Sequence, residues 1–298
     1  MTLPKIEIIP RSKILEEIPL SVFDYLPLYN HPNFLQLVAP NRSFYAKITT
    51  NNGSLAFFPF TGQNLIIKWR IFQISFCQKF KPFSINGEPN VEHWQVWLNF
   101  LKTNTISCQW PTEILPPPEK IELIKYETKI NQILNLESDF KILLGNWKSN
   151  RKSALNKSKE LNVSQLNSLE FIDGVKTSIS FHDNKRWKPT ENEISILRKI
   201  SNSEFFKDHI IRYAVLDKNQ ILNTVLLLKW AGRYHYLFSF STEKGFRKEA
   251  LTKFFFQFMN LQANQKMIFD FEGSSIPGIK AFFGSLGGMT EDYKVIKF

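Results

Sequence analysis

The sequence predicts an α/β protein with a mixed α+β sheet, arranged as two tandem halves. Three observations lead to this prediction. The chain has 298 residues, which is long for one compact core and sufficient for two domains. Hydrophobic residues make up 43% of it, enough for packed interiors. Three consecutive prolines at 116–118 cannot lie within a helix or a central strand, so they predict a domain boundary between residues 1–114 and 115–298.

The first half is predicted to contain a strand, short helices, three further strands, an amphipathic helix and a last strand. Asn51-Asn52-Gly53 predicts a tight hairpin turn, because Asn and Gly accept the positive φ that such a turn requires. The main predicted ranges are strands 5–10, 43–49, 55–60, 64–74 and 105–110, and helix 92–102.

The second half is predicted to be the more complete of the two. From residue 163 its order is β-α-α-β-β-β-α-β-α-β, which makes a mixed sheet covered by helices on both faces. A basic helix over 147–161 precedes it. The predicted ranges are strands 163–169, 210–216, 220–229, 234–240, 267–271 and 293–298, and helices 173–182, 191–201, 247–263 and 277–286.

The net charge of the chain indicates which kinds of partner it can bind. The net charge is +11, and most of the basic excess follows residue 118. Such a surface attracts phosphates, nucleic acid or anionic lipid, although AT-rich codons also explain an abundance of Lys. Cys77 and Cys108 are too few for a disulfide framework and are expected to fill the core. Without a signal peptide or a transmembrane stretch, we expect a cytoplasmic protein.

The element order resembles the GNAT (acyl-CoA N-acyltransferase-like) fold, and the two halves resemble the FemAB-like branch, the peptidoglycan peptidyltransferases and their uncharacterised relatives. The basic stretch 146–158 is similar to a basic helix of that branch. The segments at 270–274, 276–278 and 282–288 resemble its closing strand and helix. Two shorter segments, 29–32 and 77–80, resemble relatives from Bacteroidetes-type bacteria. The resemblance implies two tandem GNAT-like domains, the second carrying the active site.

The resemblance also implies a donor site. In acyltransferases of this fold, the pyrophosphate of coenzyme A lies on backbone N–H groups at the start of the long helix, where unpaired donors and the helix dipole favour anions. Acyl-CoA, for example acetyl-CoA, is thus the favoured donor, but stretch 241–250 departs from the usual Q/R-x-x-G-x-G/A spacing. On an alternative interpretation, Gly245 only permits a turn and the basic residues are solvated. The implied cofactor-binding residues are Phe238, Ser239, Phe240, Lys244, Gly245, Phe246, Arg247, Lys248 and Ala250.

Candidate catalytic residues lie on two neighbouring predicted strands. Alternation along 268–272 places Asp270 and Glu272 on one face, where a carboxylate could deprotonate an amine. Glu272 is the first candidate for this base and Asp270 the second; a structural pair that salt-bridges or caps a helix is the alternative. His235 is the third candidate, although a lone strand histidine is more often structural. No metal is expected, since no H-E-x-x-H or C-x-x-C motif occurs.

The predicted function is transfer of an acyl or aminoacyl group, from a thioester or ester, to the amine of a small molecule or peptide. The reaction is expected in a cleft between strands 234–240 and 267–271. The main alternative is a FemAB-type peptidyltransferase that uses aminoacyl-tRNA, because residues 141–160 carry six Lys/Arg against one Glu. A third is a non-catalytic binding module that kept the fold. An exposed cationic ridge is predicted to bind substrate or a polyanion, formed by Lys148, Arg151, Lys152 and Lys159. Spacings of four and seven place Lys148, Lys152 and Lys159 on one helical face.

Overall fold

The computed structural model describes residues 4–85, 87–121, 124–180, 189–273 and 276–298. The chain divides into two compact units. The first unit comprises Met1–Ile130 and Asp292–Phe298, and the second unit comprises Asn131–Glu291. The last residues belong to the first unit because they add a strand to its sheet. The domain boundary between residues 114 and 115 stays a prediction. The division into compact units falls later in the chain, between Ile130 and Asn131.

The first unit combines a mixed sheet with short helices. Its strand order is β1-β2-β3-β4-β6-β13, with β5 beside β3. All of these neighbours pair antiparallel except β4 and β6, which are parallel. The strands are β1 (Lys5–Pro10), β2 (Ser43–Thr49), β3 (Leu55–Leu65), β4 (Lys68–Ile71), β5 (Phe83–Ser84), β6 (Thr105–Thr112) and β13 (Met289–Lys297). The helices are α1 (Ile14–Glu17), α2 (Leu20–Phe23), α3 (Pro32–Val38), α4 (Val91–Asn104) and α5 (Pro118–Ile121).

Aromatic packing builds the core of the first unit. Trp94 and Trp97 of α4 contact Phe58 of β3 and Trp110 of β6, and all four side chains are fully buried. The indole N–H of Trp110 donates to the carbonyl of Pro59 at 2.8 Å, which satisfies its polar atom inside the core. Cys77 and Cys108 are buried free thiols, as expected for core residues.

Two hairpins of the first unit test the turn predictions. The turn at Asn51-Asn52-Gly53 is confirmed, and Gly53 has φ +80°. The predicted strand over 64–74 is wrong, because the chain reverses at Ile66 and Ile67 between β3 and β4. Two consecutive isoleucines are not a turn signal, so periodicity predicted an uninterrupted strand there.

The second unit has the predicted element order. Its strand order is β7-β12-β11-β10-β9-β8, antiparallel except for the parallel pair β11 and β12. The strands are β7 (Lys125–Asn135, which begins in the first unit), β8 (Asn162–Gln165), β9 (Ile210–Asp217), β10 (Gln220–Trp230), β11 (Arg233–Ser241) and β12 (Ile268–Asp270). The helices are α6 (Phe140–Gly145), α7 (Ser149–Ala154), α8 (Ser168–Ser180), α9 (Glu191–Ser201), α10 (Glu243–Arg247), α11 (Ala250–Gln262) and α12 (Pro277–Ser285).

Phenylalanines of α11 pack against the sheet of the second unit. Phe254, Phe255 and Phe258 are buried against the strands, and Phe255 contacts both Phe269 and Phe271. This packing fixes β12 and the residues that follow it, because each aromatic side chain removes a large apolar area from water. The segment after β12 is therefore anchored on its apolar face.

Three predicted helices of the second unit differ from the structure. The predicted helix 147–161 is short, since α7 covers Ser149–Ala154 and a 3-10 turn over Leu155–Ser158 follows. The predicted helix 247–263 is two helices, α10 and α11, because Glu249 between them adopts φ +56°. The predicted helix 173–182 begins earlier, in α8, and its last two residues lie outside the described residues.

Candidate active site

A gap opens in the sheet of the second unit between β11 and β12. The two strands pair only over Arg233–Ile268, Tyr234–Phe269 and His235–Asp270. Beyond His235, β11 continues to Ser241 along β10, and in the described part of the chain no strand pairs with its other edge. We call this side of the strand, which no neighbouring strand covers in the described residues, the open edge of β11. The gap lies between the two strands where the cleft was predicted.

A histidine and a carboxylate meet at the start of this gap. Nδ1 of His235 lies 2.6 Å from Oε1 of Glu272, and the side chains are 4% and 10% exposed. His235 is buried and Glu272 is half-buried, so little water competes with this hydrogen bond and the low local dielectric strengthens it. A side-chain hydrogen bond therefore joins two of the three predicted catalytic residues, and we call them the His235–Glu272 pair.

The backbone at Glu272 is strained in a way that aims its side chain. Glu272 has φ +52°, a left-handed conformation that non-glycine residues rarely adopt, and Gly273 continues the turn with φ +94°. Strain of this kind costs about 1–3 kcal/mol and persists only where surrounding contacts impose it. Here the N–H of Glu272 donates to Asp270 at 3.1 Å, and the N–H of Gly273 donates to Asn131 at 3.2 Å.

Asp270 anchors this turn. Its carboxylate, 1% exposed, accepts from Arg233 at 3.0 Å, from Asn131 at 2.8 Å and from the backbone of Glu272. Arg233 also donates to both carboxylate oxygens of Glu291, at 2.8 and 3.1 Å. Asp270 already neutralises a cation and accepts three hydrogen bonds. Its geometry therefore suits an anchoring role better than the role of a base, for which the strand alternation made it the second candidate.

The same three groups raise the question of a metal. Ligand atoms of His235, Asp270 and Glu272 lie within 4.8 Å of one another, close enough to surround an ion. Such an ion would lie beside the Arg233 guanidinium and would compete with it for Asp270. Two cations sharing one carboxylate repel each other, so these residues fit a metal poorly. The arrangement suits proton transfer instead.

The basic residues predicted to hold coenzyme A are engaged elsewhere. Lys244 and Lys248 both lie 2.8 Å from the carboxylate of Asp217, and these lysines lower the pKa of Asp217 to about 2. Arg247 is exposed and lies 3.9 Å from Glu243 on the same short helix. None of the three cations is thus aimed at a common anion site.

The backbone donors of the same stretch are also used. The N–H of Gly245 donates to the Thr242 hydroxyl at 3.0 Å, and that of Phe246 to the Thr242 carbonyl at 2.9 Å. The N–H groups of Lys248 and Glu249 donate to preceding carbonyls. A pyrophosphate cradle requires unpaired donors, so these four N–H groups do not supply one.

A carboxylate occupies the start of α11, where a pyrophosphate would place its charge. Glu249 immediately precedes Ala250, the first helical residue. Its Oε2 accepts from Arg151 at 2.7 Å and from the Thr252 hydroxyl at 2.9 Å, and the Arg151 guanidinium lies 4.7 Å from the ring centre of Phe282. The carboxylate makes no hydrogen bond to the backbone N–H groups of α11, so it adds negative charge beside the helix start without using those donors.

Gly245 has a packing role that can be measured. A Cβ atom at this position would lie 2.2 Å from the carbonyl oxygen of Leu222, far inside contact distance. We expect Gly245→Ala to lower the free energy of unfolding by about 1–3 kcal/mol, as overpacking does. Gly278→Ala, in the first turn of α12 with open space around it, should stabilise by about 0.5–1 kcal/mol. Urea unfolding of both variants checks this, and equal stability of the two would contradict the packing role.

The residues Phe238, Ser239 and Phe240 lie on β11 along the gap. The hydroxyl of Ser239 accepts from the amide of Asn223 at 2.9 Å, and the same amide donates to the carbonyl of Phe240 and the hydroxyl of Ser241. Asn223 is fully buried, and its Oδ1 has no hydrogen-bond partner among the described residues. Asn223 is not among the predicted site residues, although a single amide within the mostly apolar run 221–228 is a recognisable signal.

The predicted cationic ridge does not form one helical face. Lys148 precedes α7 and Lys159 follows the 3-10 turn, so the regular spacing of a single helix is broken. Lys148, Lys152 and Lys159 are exposed, and Lys152 donates to the carbonyl of Gly145. Arg151 is instead committed to Glu249. Three exposed lysines therefore remain of the four predicted residues.

The architecture is similar to that of solved structures with a FemAB-like, GNAT-type fold. No family model and no curated protein matches the sequence. The structure is similar to the crystal structure of FemX, with a TM-score of 0.60 and 10% identity over 97% of this chain and 96% of that one. It is also similar to L-PGS from Bacillus licheniformis (TM-score 0.54, 12% identity, 96% and 90% covered). A tandem GNAT protein from the clavulanic acid biosynthesis pathway is similar too (TM-score 0.52, 11% identity, 98% of both chains).

These similarities establish the fold, a FemAB-like, GNAT-type arrangement that extends over nearly the whole chain. At identities of 10–12% they do not transfer a substrate. In the described residues, no helix combines the length and apolar character needed to cross a bilayer.

Proposed function

We propose that this protein transfers an acyl or aminoacyl group from an activated ester or thioester to an amine, with the His235–Glu272 pair as general base. The observation that carries the proposal is the 2.6 Å contact between His235 and Glu272 at the start of the gap between β11 and β12. Buried titratable groups that meet at an opening are typical of functional sites. The left-handed backbone of Glu272, held by Asp270, supports the same interpretation.

The chemistry follows from this geometry. The acceptor amine attacks the donor carbonyl, so that a C–N bond forms and the C–O or C–S bond to the leaving group breaks. The attacking nitrogen loses a proton to the His235–Glu272 pair, and that proton passes to the leaving alkoxide or thiolate. In this proposal, backbone N–H groups on the open edge of β11 stabilise the negative charge that develops on the carbonyl oxygen.

The donor that the site supports best is an ester on a polyanion, such as aminoacyl-tRNA, rather than acyl-CoA. The helix start that would hold a coenzyme A pyrophosphate carries Glu249, and its cations pair with Asp217. The exposed lysines at 148, 152 and 159 can instead contact phosphates of a larger donor. Acyl-CoA, the donor implied by the resemblance, remains the second candidate.

The choice of donor predicts a binding result. The protein is expected to shift aminoacyl-tRNA in a gel, with an affinity that falls steeply as salt is raised, and to give no calorimetric signal with acetyl-CoA. Replacing Lys148 and Lys152 by Glu should weaken tRNA binding by about tenfold or more and leave the melting temperature unchanged. A double variant at two other exposed lysines, Lys176→Glu with Lys207→Glu, is the charge-matched control. Tight acetyl-CoA binding would contradict this choice of donor.

A further inference from the structure

The hairpin between β3 and β4 ends in an exposed aliphatic tip. Leu65 pairs with Lys68, so Ile66 and Ile67 form a two-residue loop. Their side chains are 95% and 84% exposed, the two highest values among the exposed aliphatic residues. Single exposed apolar residues are common, but two neighbouring isoleucines at the most projecting point of a hairpin are not explained by the fold.

The backbone conformation of this loop disfavours isoleucine. Ile66 has φ +75°, and two-residue hairpin loops strongly favour Asn and Gly because those residues tolerate positive φ. A β-branched side chain is among the least suited to this conformation. Of the two loop residues only Ile66 has a positive φ, a pattern that favours Gly at the first loop position. Gly at position 66 would therefore form the same loop with less strain, and the isoleucines are expected to have a role outside folding.

The surroundings of the tip are cationic. Lys68 and Arg70 are exposed on β4, and in the described residues neither forms an ion pair. The sequence has no Asp or Glu from residue 25 to residue 87, while it has six Lys or Arg in that interval. The remaining four are Arg42, Lys47, Lys79 and Lys81, of which three lie near acids from outside the interval.

The base of the hairpin is rigid. Trp69 of β4 packs against Phe44 and Phe60 with ring centres 4.8 and 5.4 Å apart. β4 also pairs in parallel with β6, which presents Ile106 with half of its surface exposed. The tip is thus presented on a fixed support, which reduces the entropy lost when it binds.

We propose that this hairpin tip docks on the surface of an anionic phospholipid bilayer. Ile66 and Ile67 would enter the boundary between headgroups and acyl chains, while Lys68 and Arg70 would remain among the anionic headgroups. A narrow convex tip of two side chains suits insertion between lipids, whereas a stable protein interface needs a far larger complementary surface. This surface lies in the first unit and is independent of the proposed transfer reaction.

The proposal predicts vesicle binding by the full chain. We expect it to sediment with vesicles of phosphatidylglycerol and phosphatidylethanolamine, less so at high salt, and weakly with phosphatidylcholine alone. The double variant Ile66→Gly with Ile67→Asn should bind about tenfold more weakly or worse, because it removes the inserted apolar surface. Its melting temperature should stay the same or rise, because Gly adopts the positive φ of position 66 without strain. Lys68→Gln and Arg70→Gln should each weaken binding about fivefold.

A matched control and three contrary outcomes make the test decisive. Leu169→Asn removes another exposed aliphatic side chain, in α8, and should leave vesicle binding unchanged. Absence of wild-type binding to anionic vesicles would overturn the proposal, as would equal binding by the variant Ile66→Gly with Ile67→Asn. A tip variant that changes the oligomeric state in size-exclusion chromatography would show that the tip contacts protein, which would also overturn it.

Discussion

Glu272→Gln is expected to lower the transfer rate by about 10²–10⁴-fold, the usual contribution of a general base. Glutamine keeps the shape of the side chain and can still hydrogen-bond His235, but it cannot take up the charge that forms when the pair accepts a proton. Donor affinity should change little, because Glu272 acts on the acceptor nitrogen. Turnover and melting temperature are measured on the same preparation, with transfer of the aminoacyl group to an amine acceptor as the readout.

Two further variants separate catalysis from structure. His235→Gln should cost as much as Glu272→Gln, and the double variant little more, because the two groups act as a unit. Glu137→Gln, at an exposed position outside the site, should leave turnover unchanged. A Glu272→Gln protein that is less stable yet fully active would remove Glu272 from the mechanism. It would then be a structural partner of His235.

The sequence predicted the element order of the second unit because its signals are local. Apolar runs such as 221–228 are long, and Thr190 with Glu193 forms the capping box that begins α9 where it was predicted. The errors fall where a residue contradicts its local preference. Glu249 breaks the predicted helix 247–263 with a left-handed φ, and Ile66 turns the chain inside a predicted strand. Residue propensities do not predict a helix or strand to end at a residue whose type disfavours the conformation that ends it.

The sequence predicted which residues belong to the candidate site but not which of them contact one another. Glu272, Asp270 and His235 were all named, since polar residues on apolar strands are conspicuous. Their roles depend on the parallel register that places His235 opposite Asp270, and on Asn131, which lies 139 residues from Asp270 in sequence. Contacts of such separation arise only from the assembled sheet. The division between a base and an anchoring carboxylate therefore required the structure.

Loss of the anchoring carboxylate is expected to be the most destabilising change at the site. Asp270→Asn leaves Arg233 without one of its two acidic partners and places an amide beside the guanidinium. Removing one member of a buried ion pair costs about 3–5 kcal/mol, because the remaining charge stays buried and uncompensated. Arg233 is partly exposed and keeps Glu291, so we expect about 3 kcal/mol, measured by urea unfolding. Asp173→Asn, in an exposed pair with Lys176, should change stability by less than about 0.5 kcal/mol.

The activity of the Asp270→Asn variant distinguishes an anchoring role of Asp270 from the role of a base. Asp270 accepts the backbone N–H of Glu272, so a displaced turn should lower the turnover of the folded Asp270→Asn protein by less than about 10²-fold, as expected for misplacement of a catalytic group. Its pH dependence should match that of the wild type, because the His235–Glu272 pair still accepts the proton. Glu272→Gln should instead be stable and nearly inactive. If Asp270→Asn were stable, and inactive with an altered pH profile, Asp270 would be the base and the anchoring role would be wrong.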